Sequence, residues 1–137
     1  MPALEEAYKD LKVLVIEDDA GTRRLIRRML NQLGINSVTE SADGLSGLQD
    51  LLRSHPDIVL CDIHMTPVGG QEFLKKVREA KTEWVKNMPV VFLTSDNMLD
   101  SVRVAIQHHV DSYIVKPVSL EELKRHLDIV ITRRLAK

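Results

Sequence analysis

The chain has 137 residues, 44% of them hydrophobic and 28% charged, which suits one domain with its own core and excludes a disordered chain. Lys plus Arg number 19 and Asp plus Glu 20, for a formal charge of −1, so nucleic-acid binding through bulk positive charge is excluded. The single cysteine, Cys61, excludes an internal disulfide framework and fits a reducing, cytosolic setting; no apolar run approaches the ~18 residues of a membrane span.

Residues 1–10 (MPALEEAYKD) are polar and acidic, lack the apolar stretch of a signal peptide, and read as an extension or short helical arm. The apolar, β-branched run Val13–Ile16 predicts a strand buried on both faces, ending in Glu17-Asp18-Asp19, with Asp19 placed to cap the helix that follows. Leu25, Ile26, Met29, Leu30 and Leu33 fall on one helical stripe, and Gly34 closes it as a C-cap glycine would. A weaker strand is expected near Asn36 to Thr39, then a stripe at Leu45, Leu48, Leu51 and Leu52. Ile58–Cys61 is the third strand, ending in Asp62, and Phe73, Leu74 and Val77 mark the third helix. Val90–Leu93 runs into Thr94-Ser95-Asp96, followed by a stripe at Leu99, Val102 and Ile106. Tyr113–Val115 ends in Lys116-Pro117, and the last stripe is Leu120, Leu123, Leu127, Val130 and Ile131, with Ser119 and Glu122 spaced as a capping box. Five alternations of strand and helix predict an α/β fold, a parallel sheet with helices on both faces joined by right-handed crossovers. Such sheets bind ligands outside the carboxyl ends of their strands.

The strand ends carry the chemistry. Glu17, Asp18 and Asp62 would repel one another on one edge unless a cation joined them, and carboxylate oxygens suit Mg²⁺. Lys116 adds an ammonium and Thr94 a hydroxyl. An acid nucleophile, a metal, a hydroxyl and an ammonium are what phosphoryl transfer onto a carboxylate requires.

These motifs, Val15-Ile16-Glu17-Asp18, Asp62 with Met65 and Gly70 following, Val91-Phe92-Leu93-Thr94-Ser95, and Tyr113-Ile114-Val115-Lys116-Pro117, occur in an order and spacing that resembles the receiver domains of bacterial two-component response regulators. The resemblance covers about residues 11–135, leaving 1–10 as an N-terminal extension and 136–137 as a tail. It implies a flavodoxin-like, doubly wound sheet of five parallel strands in the order 2-1-3-4-5 with five helices. It implies that Asp62 is the phospho-acceptor, that Glu17 and Asp18 hold Mg²⁺ with Asp62, Glu17 through water, and that His64 gives the metal its backbone carbonyl. Thr94 then reorients toward the phosphoryl group, Lys116 contacts a phosphoryl oxygen through an often cis Lys116–Pro117 bond, and Tyr113 is either a switch aromatic that turns inward or a static one. The implied activity is signalling by self-phosphorylation and autodephosphorylation rather than turnover, in the cytoplasm. The phosphoryl group comes from a sensor histidine kinase or a histidine phosphotransfer protein. The output surface is the fourth helix, fifth strand and fifth helix, with Arg103, His108, Tyr113, Glu121 and Lys124 as candidate contacts for a downstream protein partner, or for an effector domain if the chain is a fragment.

The sequence also departs from the family pattern. Thr66 separates Met65 from Pro67, so the loop after the third strand is expected to differ in shape. Ser95 replaces a commoner Ala or Gly, and His109-Val110 stands where Gly-Ala usually ends the fourth helix; if His109 keeps the left-handed C-cap it carries strain that Gly would not, though His is among the residues that tolerate it. His64 projects from the acidic rim and is expected to tune acyl-phosphate lifetime through water access. Cys61 reads as a buried strand residue, adjacent His108 and His109 share no helix face for a metal, and Arg23, Arg24, Arg27 and Arg28 form a solvated face or a kinase-docking one. Haloacid-dehalogenase-type phosphatases also use a strand-end Asp, but His64 replaces their second acid; a flavodoxin-like cofactor binder lacks its glycine loop after the first strand.

Overall fold

Alternate residues of the three central strands are buried on opposite faces, so each strand reads as an unbroken apolar run. The structure is a computed structural model and describes residues 2–95 and 109–135, with side chains from 6 to 95 and from 109 to 133. In chain order the elements are α1 (Pro2–Lys9), β1 (Lys12–Ile16), α2 (Ala20–Gln32), β2 (Ser37–Ser41), α3 (Gly44–Ser54), β3 (Ile58–Asp62), α4 (Gly70–Arg78), α5 (Glu83–Lys86), β4 (Val90–Thr94), β5 (Ser112–Val115) and α6 (Leu120–Leu135). The five strands form one sheet in the order β2-β1-β3-β4-β5, every pairing parallel, as the sequence predicts. Six helices lie among the described residues: four of the five expected ones, the N-terminal arm and the single turn α5. The expected stripe Leu99, Val102 and Ile106 lies outside the described residues, as do Asp96, Arg103, His108 and the tail.

Val13, Val15, Ile58, Leu60, Val91 and Leu93 pack on one face with α2 and α6, whereas Leu14, Ile16, Val59, Cys61, Val90 and Phe92 pack on the other with α3, α4 and α5. The arm belongs to the first of these layers, because Tyr8 is buried there and its hydroxyl donates to the Asp128 carboxylate on α6. Burial, that hydrogen bond and the Asp128 charge all push the Tyr8 phenol well above its ordinary range. Among the described helices none is long and apolar enough to cross a membrane.

Asp19 caps α2 through Thr22, whose N–H and hydroxyl both donate to it at 2.8 and 2.6 Å. Those hydrogen bonds hold the Asp19 carboxyl below its ordinary range. Gly34, with φ 95°, follows the C-cap Leu33. His109 does adopt the left-handed conformation, at φ 58°, and the Lys116–Pro117 bond is cis. The loop after β3 contains a second cis bond, Thr66–Pro67.

Three expectations need correction. Leu25, Leu45 and Leu52 are exposed, because each lies about 100° around its helix from a buried neighbour and the sheet covers less than the full stripe. Leu120 is likewise exposed at the start of α6. The capping box is only half formed: Ser119 Oγ accepts the Glu122 N–H at 3.1 Å, but the Glu122 carboxylate turns to Arg125 at 2.9 Å instead of reaching back.

His126 joins the buried face of α6, three residues after Leu123 and four before Val130, so helical periodicity contained the signal. Its Nδ1 hydrogen-bonds the Ser112 hydroxyl, and Glu122 and Arg125 approach Nε2 at 3.5 and 3.4 Å. Burial and then Arg125 lower its pKa, outweighing Glu122. The folded protein therefore binds fewer protons here than the unfolded chain. This contribution to stability is complete above an unfolded His pKa of about 6.5 and is lost as pH falls through the folded value. Urea midpoints measured at pH 7.5 and 5.5 should fall on acidification in the wild type and fall less in His126→Gln. An identical fall in both would contradict the assignment.

Candidate functional site

Strand register gathers the polar side chains. Ile16 pairs with Cys61, Asp62 with Leu93, and Thr94 with Val115, so Glu17, Asp62, Thr94 and Lys116 all emerge at the carboxyl edge within two residues of one another's level. The Lys116 N–H donates to the Thr94 carbonyl at 2.6 Å, extending the ladder to the lysine itself.

Glu17, Asp18 and Asp62 each bring a carboxylate oxygen into one cluster whose atoms lie within 4.8 Å of one another. Glu17 is fully buried and Asp62 is 5% exposed, while Asp18 is open to solvent. The Lys116 ammonium donates to Glu17 Oε1 at 2.5 Å and sits 3.5 Å from Asp62 Oδ2. Burial pushes the Glu17 carboxyl above its ordinary range; Asp62 adds to this and Lys116 opposes it. Burial alone would lower the Lys116 ammonium, but Glu17 and Asp62 outweigh it and hold the lysine above its ordinary value.

Three carboxylates against one ammonium leave two uncompensated negative charges, which is what a divalent cation neutralises. Glu17 Oε2 is buried with no hydrogen-bond partner, and a buried orphan acceptor is costly. All-oxygen donors on a half-open rim suit Mg²⁺, which keeps several waters. The donor set and the orphaned oxygen therefore fit the ion. The acidic cluster can hold such a cation, and Asp62 beside it is a buried carboxylate with a cationic neighbour.

Thr94 is buried at the end of β4, and the His64 side chain is exposed on the loop after Asp62. Tyr113 is not brought to the cluster: it pairs with Phe92 further down the sheet and is exposed. Two features escaped the sequence, the role of Arg23 and the steric reason for Gly70. Arg23, assigned to an exposed face, is half-buried and donates from Nη1 to the Glu17 carbonyl at 2.7 Å; its place on the first turn of the helix after the acids was the available signal. Gly70, one of the motif residues, packs against the Asp62 peptide. Its N–H donates to the Ile63 carbonyl at 2.9 Å, and a Cβ there would lie 2.4 Å from the Asp62 carbonyl oxygen.

Comparison with known proteins agrees with this geometry. The response regulator receiver domain family matches residues 13–128. The chain is 34% identical over 125 residues to the chemotaxis protein CheY-3 of Vibrio cholerae, an alignment covering 91% of this chain and 95% of that one. It is 35% identical over 131 residues to a probable methanogenesis regulatory protein, FilR2, of Methanothrix harundinacea, covering 90% and 83%. Among solved structures, the chemotaxis protein CheY4 of Vibrio cholerae superposes with a TM-score of 0.80 at 27% identity, covering 88% of this chain and 98% of the other. The chain belongs to the response regulator receiver domain family, with a CheY-like fold.

Proposed function

We propose that Asp62 accepts a phosphoryl group from a phosphohistidine on a sensor kinase or a histidine phosphotransfer protein in the cytoplasm. The carboxylate oxygen attacks phosphorus, the P–N bond breaks with its electrons returning to the imidazole, and Asp62 becomes an acyl phosphate that water later hydrolyses. One observation carries the reading: a buried carboxylate stands 3.5 Å from the Lys116 ammonium, inside an acidic cluster with an orphaned buried oxygen. Glu17, Asp18, Asp62 and the main-chain carbonyl of His64 would hold Mg²⁺, which when bound supplies positive charge toward the phosphoryl oxygens.

The chain's own residues do the rest. Lys116, pinned through its N–H to β4, places its ammonium beside the acceptor oxygen, where charge grows as the phosphoryl group arrives. Thr94, next to it in the ladder, offers a hydroxyl for the new phosphoryl oxygens. His64, exposed at the rim, sets how water reaches the acyl phosphate. The receiver unit is residues 11–135, and phosphorylation shifts the population of two conformations. The switch, with Thr94 and Tyr113 as its moving parts, is read by a downstream protein or an effector domain. Exposed Tyr113, Glu121 and Lys124 lie on the described part of that output face, β5 and α6.

Intact-protein mass spectrometry after treatment with acetyl phosphate and Mg²⁺ tests this. One added phosphoryl group is expected in the wild type and none in Asp62→Asn. Equal labelling of the two would overturn the proposal.

A further inference from the structure

The Glu17 peptide is pinned on both sides. Its N–H donates to the Ser41 carbonyl of β2 at 3.0 Å, and its carbonyl accepts Arg23 Nη1 from α2 at 2.7 Å. Arg23 is itself held, because its Nε donates to Glu40 Oε1 at 3.2 Å. Glu40 is held in turn by Arg27, one helical turn further on, at 2.6 Å to Oε2. Arg23 and Glu40 are both partly buried, with 21% and 28% of their side chains exposed. Two arginines spaced i, i+4 on α2 thus share one carboxylate on β2, and the fork of the first reaches across to the loop that follows β1.

The carbonyl of Glu17 belongs to the peptide joining Glu17 to Asp18. The plane of that peptide fixes where the Asp18 Cα, and hence its carboxylate, stands relative to Glu17 and Asp62. The neutral partner matters as much as the bond. An unpaired guanidinium so near three acids would oppose cation binding, whereas Glu40, which Arg23 shares with Arg27, offsets part of that charge and leaves the donor geometry in place.

Resting on the metal-dependent reading above, we infer that Arg23 is a positioning residue for the cation site and that Glu40 holds it in place. Groups that orient ligands without touching the metal commonly change affinity by about 10–100-fold when removed. The inference and a plain charge effect predict opposite signs. Deleting the Arg23 charge alone should tighten cation binding if Arg23 acts only through its field, and should weaken it if Arg23 fixes the Glu17–Asp18 peptide.

The test is Mg²⁺ titration by calorimetry, with urea unfolding as the check on fold, for wild type, Arg23→Ala, Arg23→Lys and the double variant Arg23→Ala/Glu40→Gln. The double variant removes one positive and one negative charge together, so the net charge is constant while the brace is lost. About tenfold weaker binding is expected in both alanine variants, and a smaller loss in Arg23→Lys, which keeps one donor but not the fork. Unchanged or tighter binding in Arg23→Ala, or wild-type affinity in the double variant, would overturn the inference while leaving the cation site standing. A wild type that binds no Mg²⁺ would overturn the reading of the site and the inference with it. If Arg23→Ala fails to unfold cooperatively, Arg23→Lys supplies the readout at constant charge: Mg²⁺ affinity is expected to fall, and an unchanged value counts against the brace.

Discussion

Gly70→Ala should lower the unfolding free energy by about 2–3 kcal/mol, because inserting a methyl group where no side chain can yield forces the backbone to move. The added Cβ would sit 2.4 Å from the Asp62 carbonyl oxygen and 2.9 Å from the Ile63 Cα. Both are main-chain atoms of the segment that carries the Asp62 carboxylate. Relief requires either α4 to withdraw, which strains the 2.9 Å bond from the Gly70 N–H to the Ile63 carbonyl, or the Asp62–Ile63 peptide to tilt. The second route swings the Asp62 side chain away from Lys116, so acetyl-phosphate labelling of the folded fraction should slow as well. Gly21 gives the contrast. Its nearest neighbour to an added Cβ is a side-chain oxygen of Asp19 at 3.5 Å, an ordinary contact on an exposed first turn. Gly21→Ala should therefore stabilise the protein, by up to about 1 kcal/mol through helix propensity. Urea unfolding of the two variants beside the wild type decides it; equal midpoints for Gly70→Ala and wild type would remove the steric argument.

The parts of this site that were legible in the sequence were those fixed by strand chemistry. A parallel strand buried on both faces must be apolar throughout, so its end is marked by the first charged residue, and Glu17, Asp62 and Lys116 each mark one. Register then does the rest, since the strands run in one direction and stop at one edge. Helix faces were legible only in phase. The stripe through Ile26 and Leu30 was right, but pattern alone does not say how wide a strip the sheet covers, and Leu25 fell outside it. In the other direction His126 was passed over, because a polar residue on an apolar stripe is buried only when a distant partner, here Ser112, meets it. Tyr8 has the same explanation: nothing in a short acidic arm announces Asp128, 120 residues away, as the acceptor of its hydroxyl. The pairing of Lys116 with Glu17 as well as with Asp62 is a matter of side-chain reach across three strands, which residue order does not encode.

The second large effect belongs to a residue at the opposite end of the sheet from Asp62. Arg78, the last residue of α4, donates from Nε to the His109 carbonyl at 3.1 Å, from Nη1 to the carbonyls of Lys86 and Met88 at 3.0 and 2.8 Å, and from Nη2 to Asp111 Oδ2 at 3.1 Å. Asp111 Oδ2 also accepts the Val90 N–H at 2.7 Å, at the start of β4. One guanidinium therefore ties the end of α4, the segment leading into β4 and the turn leading into β5. Burial lowers its pKa, and Asp111 opposes that. Truncation to alanine leaves the partly buried Asp111 carboxylate without its counter-charge and takes the Arg78 donor from three carbonyls. The expected loss is about 2–4 kcal/mol, the range for breaking a partly buried, multiply bonded pair. Arg78→Lys should recover less than half of it, since a single ammonium cannot span acceptors arranged around a planar fork. A double-mutant cycle with Asp111→Asn, which keeps an acceptor for Val90, isolates the charged component. Because β4 and β5 carry Thr94 and Lys116 at their far ends, the same variants should also slow labelling of Asp62 once protein that is unfolded has been discounted. If Arg78→Ala unfolds within about 0.5 kcal/mol of wild type, the ordinary spread of surface substitutions, this tie contributes nothing and the starts of β4 and β5 are held by their apolar faces alone.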